Sequence, residues 1–151
     1  MKRMMISVSL AFGLFTAGCS IKSPSAEVKT QTVQKSLYER LGGRKNIEAV
    51  VYKLWEYVSK DGRINHYFST TKPEVFAGKL TDFLCVGAGG PCEYRGRSMR
   101  ETHTGMHITE ADFNALAEDT VKALDFYNVP EREKNEVMKM LGSLKSDVVG
   151  H

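Results

Sequence analysis

Apolar residues recur at helical spacing in four stretches of this chain, and that recurrence limits the fold more than any single motif does. Ile47, Val50, Val51, Leu54, Trp55 and Val58 fall at i, i+3, i+4, i+7, i+8 and i+11, one stripe along a helix predicted over 45–60 and stopped by Asp61-Gly62. Pro73 suits a first helical position, and Val75, Phe76, Leu80, Phe83 and Leu84 carry a second helix until Gly87-Ala88-Gly89-Gly90-Pro91 breaks it. A third opens at Thr109, where Asp112 completes a capping box, and turns Phe113, Leu116, Ala117, Thr120, Val121 and Leu124 inward. Pro130 can begin the last, with Val137, Met138, Leu141, Leu144 and Val148 on its buried side. No stretch shows sustained period-two alternation between hairpin signals, and no internal repeat is present. The expected class is all-α, with one core in a domain of about 115 residues.

The first residues belong to a different kind of segment. Met1-Lys2-Arg3 is basic, Met4 to Gly18 is a 15-residue apolar run, and Thr16-Ala17-Gly18 is a small-residue site directly before Cys19. This reads as a secretion signal over 1–18, because the run falls short of the roughly 20 apolar residues that span a bilayer. Small residues followed by cysteine are similar to the cleavage site of bacterial lipoproteins, which makes Cys19 the expected lipidation site. The likeness implies export to a periplasm-facing membrane, the outer one since Ser20 follows the cysteine where inner-membrane retention is associated with aspartate. Residues 19–35 are rich in Ser, Thr, Lys and Gln and are expected to act as a tether. Removing 1–18 takes away Lys2 and Arg3 and lowers the formal charge from +3 to +1. With Lys and Arg scattered among Asp and Glu, nucleic-acid binding has no support.

The glycine break ends in the run Gly89-Gly90-Pro91-Cys92-Glu93-Tyr94-Arg95-Gly96-Arg97-Ser98-Met99-Arg100-Glu101-Thr102-His103, which presents a lone imidazole just before the third long helix. An imidazole so placed can ligate haem iron. Together with Leu37-Tyr38-Glu39-Arg40-Leu41-Gly42-Gly43, this run resembles the group 1 truncated haemoglobins of bacteria and protists, over Ser36 to about Val149. The resemblance implies a truncated globin, a two-over-two helical sandwich over 36–149, with non-covalent haem b as cofactor. His103 then matches the proximal iron ligand, and Phe68 the aromatic that wedges against the porphyrin. Phe76, Leu80, Phe83, Leu84, Met99, Ile108, Phe113, Leu116 and Val121 would complete an apolar cage. His107, four residues on, is the internal competitor of His103; His66 and His151 have weaker claims.

On the distal side the chain departs from the family pattern. Trp55 stands where the family usually has a tyrosine, and Phe76 and Leu80 stand where glutamines are frequent, so Trp55, Phe76 and Leu80 would face the bound gas. Dioxygen gains from a hydrogen-bond donor, and its loss would speed release and ease oxidation. Trp55 either points its indole N–H at the ligand or is a core tryptophan. Lys79 matches a lysine that serves an algal member as sixth iron ligand; its alternative is an ion pair with a haem propionate. Arg95, Arg97 and Arg100 are propionate partners or solvated surface charge. Leu144 occupies the place of the histidine that bonds haem covalently in another branch. Cys85 and Cys92 flank the glycine turn, and in an oxidising compartment they form a disulfide or remain two free thiols.

The functional expectation is reversible binding of a diatomic, O₂ or NO with CO as a further ligand, at a membrane-tethered haem. The alternatives are an enzyme, an NO dioxygenase or a peroxidase-like catalyst fed by an external electron donor, or a six-coordinate electron-transfer protein.

Overall fold

The computed structural model describes residues 34–151, and the expected signal peptide, Cys19 and all but the end of the tether lie outside them. Among the described residues every regular element is helical. The order is α1 (Leu37–Arg40), α2 (Arg44–Val58), a 3₁₀ turn (Asn65–Phe68), α3 (Pro73–Gly87), α4 (Met99–His103), α5 (Glu110–Phe126), α6 (Glu131–Ser143) and α7 (Lys145–Val148). α2 packs on both α3 and α5, α5 on α6, and α4 on α7, which gives the two-over-two sandwich. No helix among the described residues is long and apolar enough to cross a membrane.

Three helices start from the same local device. Ser36, Ser98 and Thr109 each cap a first turn with the side-chain oxygen, and Glu39, Glu101 and Asp112 return a carboxylate to the cap's own N–H. These reciprocal bonds let α1 and α4 exist although they have only four and five residues. α1 ends at Gly42 and Gly43, whose φ values of +85° and +83° lie where side chains are strained, so the chain turns sharply into α2. The last helix differs from the sequence expectation: it breaks at Leu144, and α7 restarts at Lys145.

α5 buries more than its predicted stripe. Ala115 and Ala123 are fully buried against Leu54, Val58 and Ile64, a face of small residues that lets α2 approach closely. Phe113, Leu116, Thr120 and Leu124 face the interior from the neighbouring side of the same helix. The chain end is also part of the body, since Gly150 N–H donates to the Ile108 carbonyl at 3.0 Å and His107 N–H to that of His151 at 2.9 Å.

Candidate functional site

The space between the two helix pairs is a cavity of about 420 Å³, within the 300–1,000 Å³ range of ligand and cofactor pockets. Its walls come from every layer. α2 supplies Ile47, Val50, Val51 and Leu54; the 3₁₀ turn Phe68; α3 Phe76, Leu80, Phe83 and Leu84; α4 Met99 and His103; α5 Phe113, Leu116, Thr120 and Leu124. Val137, Met140, Leu141, Leu144 and Val148 close the remaining side.

His103 is the one histidine of the four in the chain that lines this cavity. It is the last residue of α4, so the Ser98–Glu101 capping box fixes its position from the other end of the same short helix. Its Nδ1 lies 2.7 Å from the Met99 carbonyl oxygen. That oxygen can only accept, so Nδ1 carries the proton, the tautomer that leaves the Nε2 lone pair for a metal in the neutral ring. A backbone carbonyl on the far ring nitrogen is the usual way a protein orients a metal-binding imidazole. Around it the glycine loop is tightly built. Tyr94 packs edge-on against Phe83 (ring centroids 5.3 Å) and donates its hydroxyl to the Arg97 carbonyl at 2.9 Å.

The cysteines secure the same stretch from behind. Cys85, fully buried in α3, is bonded to Cys92, with Cα atoms 5.9 Å apart. The bridge ties the helix carrying Phe76, Leu80 and Phe83 to the loop that leads to His103. Gly90 lies against the bridge and the Tyr38 ring: a Cβ there would stand 2.7 Å from Cys85 Sγ and 2.4 Å from Tyr38 Cδ2.

Phe68 is positioned by its neighbour. Tyr67 donates its hydroxyl to Asp112 at 3.0 Å, pinning the 3₁₀ turn to the N-terminus of α5. Burial, with that bond to a carboxylate, raises the Tyr67 pKa, while the bonds from Thr109 hold Asp112 below the usual carboxylate range.

Of the residues expected to hold or face a cofactor, His103, Phe68, Phe76, Leu80, Phe83, Met99, Phe113 and Leu116 share the cavity wall. Four others are not among the lining residues: half-buried Val121 on α5, Lys79, Ile108 and Trp55. Lys79 is exposed on α3, since one residue before Leu80 is a rotation of about 100° around a helix. Ile108 is buried one layer back, in a cluster with Phe113 and Val148. Trp55 packs on Phe68 (6.1 Å, 83°) and Phe76 (5.1 Å, 50°), so two phenyl rings that line the cavity have the indole behind them. His107 and His66 are exposed, and His151 lies against Arg100.

Sequence reasoning missed the end of the cavity formed by Arg40, Asn46 and the turn Tyr127-Asn128-Val129-Pro130. Arg40 is held there by Glu133 at 2.8 Å, by Glu136, and by the Lys35 carbonyl at 2.9 Å. The Arg40 hydrogen bond also keeps the Glu133 carboxyl below its ordinary range.

The donor set fits a metalloporphyrin. Among the described residues no group of three or more His, Cys, Asp or Glu side chains could hold a metal ion. A lone imidazole in a hydrocarbon wall can therefore hold a metal only if the other ligands arrive with it, as they do in haem.

A model of the bacterial-like globin family matches residues 36–149. A group 1 truncated hemoglobin of Tetrahymena pyriformis is 32% identical over 116 residues, covering 77% of this chain and 96% of that protein. One from Synechocystis sp. is 34% identical over 112 residues, covering 72% and 90%. Among solved structures, the Fe(III) form of the Tetrahymena pyriformis protein superposes with a TM-score of 0.74 at 32% identity, covering 78% of this chain and all of that one. A 2/2 hemoglobin from Synechococcus sp., with covalently attached heme, gives 0.72 at 32% identity and the same coverage.

Proposed function

The chain belongs to the bacterial-like globins, in the group 1 truncated branch, and on that premise we propose that it holds haem through His103 and binds a small diatomic reversibly at the iron. The observation that carries this reading is the committed Nδ1 of His103 beside an apolar cavity. When bound, haem would supply an iron able to take a small gas as a further ligand.

The protein's part is to hold and exclude. His103 offers Nε2, and Met99 fixes the ring by accepting from Nδ1. Phe68, Phe76, Leu80, Phe83 and Leu116 line the cavity with hydrocarbon, which would pack on the macrocycle and keep water from competing for the metal. Burial of that surface, at about 25 cal/mol per Å², supports haem retention as well as the fold. The cofactor is read as non-covalent haem b: Leu144 lines the cavity without a nucleophile, and Cys85 and Cys92 are bonded to each other.

Absorption spectra of the ferric and ferrous protein, with and without CO, test the reading. His103→Ala is expected to lose haem on gel filtration and regain a spectrum when imidazole is added. Full haem content in that variant would remove His103 from the iron.

The location is read as a periplasm-facing lipoprotein, anchored through an acylated Cys19 at the outer membrane. The sequence around Cys19 alone supports this. Labelling of the membrane fraction by a radioactive fatty acid is expected and should vanish in Cys19→Ser; an equal label in both would remove the anchor from Cys19.

A further inference from the structure

Resting on the reading of this cavity as a haem site, we propose that its wall leaves bound dioxygen without a hydrogen-bond donor, and so favours carbon monoxide and nitric oxide over dioxygen beyond the preference that ferrous haem has by itself. Dioxygen draws electron density from the iron that holds it, so its outer atom turns partly negative and gains from a nearby N–H or O–H. Carbon monoxide and nitric oxide gain far less. The gas therefore reports whether a donor is free.

Few are. Most donors on the cavity wall are engaged by other groups or open to water, although Arg40 and the exposed Asn46 each carry more N–H groups than the bonds named here use. Arg40 donates to Glu133, Glu136 and the Lys35 carbonyl. Asn46 Nδ2 donates to the Leu41 carbonyl at 3.2 Å, and Thr120 Oγ1 to that of Leu116 at 2.8 Å. His103 Nδ1 is taken by Met99. Tyr127 and Asn128 lie exposed on the turn joining α5 to α6, where water competes for them. Trp55 packs its ring on the two phenyls and is not among the residues that line the cavity. α3 contributes only hydrocarbon along its cavity face. Such a surface gives an ordered water too few partners to act as a substitute donor.

The test uses the full chain loaded with haem and reduced. Dissociation rates of O₂ and CO are measured by stopped flow, and the infrared stretch of bound CO reads the polarity around the ligand independently of turnover. Leu80→Gln and Phe76→Gln each place an amide on the cavity wall. At least one is expected to slow O₂ release by about fivefold, the worth of one neutral hydrogen bond, to lower the CO stretch, and to change CO release by less than twofold. Trp55→Phe should change O₂ release by less than twofold. A several-fold faster O₂ release in Trp55→Phe, or no change in rate and stretch in either glutamine variant, would overturn the selection while leaving the haem site standing. A chain that forms no CO complex at all overturns the haem reading, and this inference with it.

Discussion

The disulfide between Cys85 and Cys92 closes a short loop, seven residues apart in sequence, across the turn that carries the chain from the α3 wall toward His103. Cys92→Ala opens it with little other damage. Cys85 stays in place as a small apolar side chain in a fully buried site, which a free thiol tolerates. The bridge acts mainly by limiting the unfolded chain, and a closed loop of about eight residues is worth about 2.5 kcal/mol in the chain-entropy account. For a domain of about 115 residues each kcal/mol moves the midpoint by about 4 °C, so the variant should melt about 10 °C below the oxidised wild type. Thermal melts followed by circular dichroism would compare oxidised wild type, reduced wild type and the variant, with thiols counted in denaturant to establish each redox state. Reduced wild type and Cys92→Ala should coincide, because both lack only the link. A variant melting within about 2 °C of the oxidised protein would mean that the loop is already constrained without the bond, and the entropy argument would fail.

Two further outcomes test packing and charge. Gly90→Ala puts a methyl 2.4 Å from Tyr38 Cδ2 and 2.7 Å from Cys85 Sγ; overpacking of that kind costs about 1–3 kcal/mol, and an unchanged urea midpoint would show that Tyr38 yields freely. Asp61 accepts from the Arg63 side chain and backbone N–H, and these bonds hold its pKa at about 2 against an ordinary 3.8. A carboxyl lowered in the folded state adds stability above its unfolded pKa and loses it as pH falls through the folded one. The midpoint should therefore decline between pH 4 and pH 2, and Asp61→Asn should be less stable above pH 4 with a shallower decline below it; parallel curves for the two proteins would remove Asp61 from the acid transition.

What could be read from the sequence follows from the range of the interaction that fixes each feature. α3 was legible because Pro73 marks its start, glycines its end, and Phe76, Leu80 and Phe83 repeat at helical spacing; all three face the cavity. The stripe on α2 was equally clear, but periodicity assigns a residue to a buried face without saying what it is buried against. Leu54 lines the cavity while Trp55, one position on, lies against Phe68 and Phe76. Lys79 shows the same limit from the polar side, since alignment places a residue along a helix and the rotation of about 100° per residue decides where it points. The capping boxes at Ser36 and Ser98 are local signals of the Ser-x-x-Glu kind, yet α1 and α4 are too short to show any apolar period around them. Ala115 and Ala123 carry no strong hydrophobic signal, although their smallness is what brings α5 close to α2. The end of the cavity at Arg40 and Tyr127 had no local signal at all. It exists because Arg40 reaches 93 residues along the chain to Glu133, and a contact of that separation is set by how whole helices pack. The site is thus legible where a short helix or a turn builds it, at His103 above all, and illegible where two distant elements meet to make a wall. Among the distal residues Phe76 and Leu80 belong to the first kind and Trp55 to the second, so the ligand rates of Trp55→Phe test packing that periodicity alone does not fix.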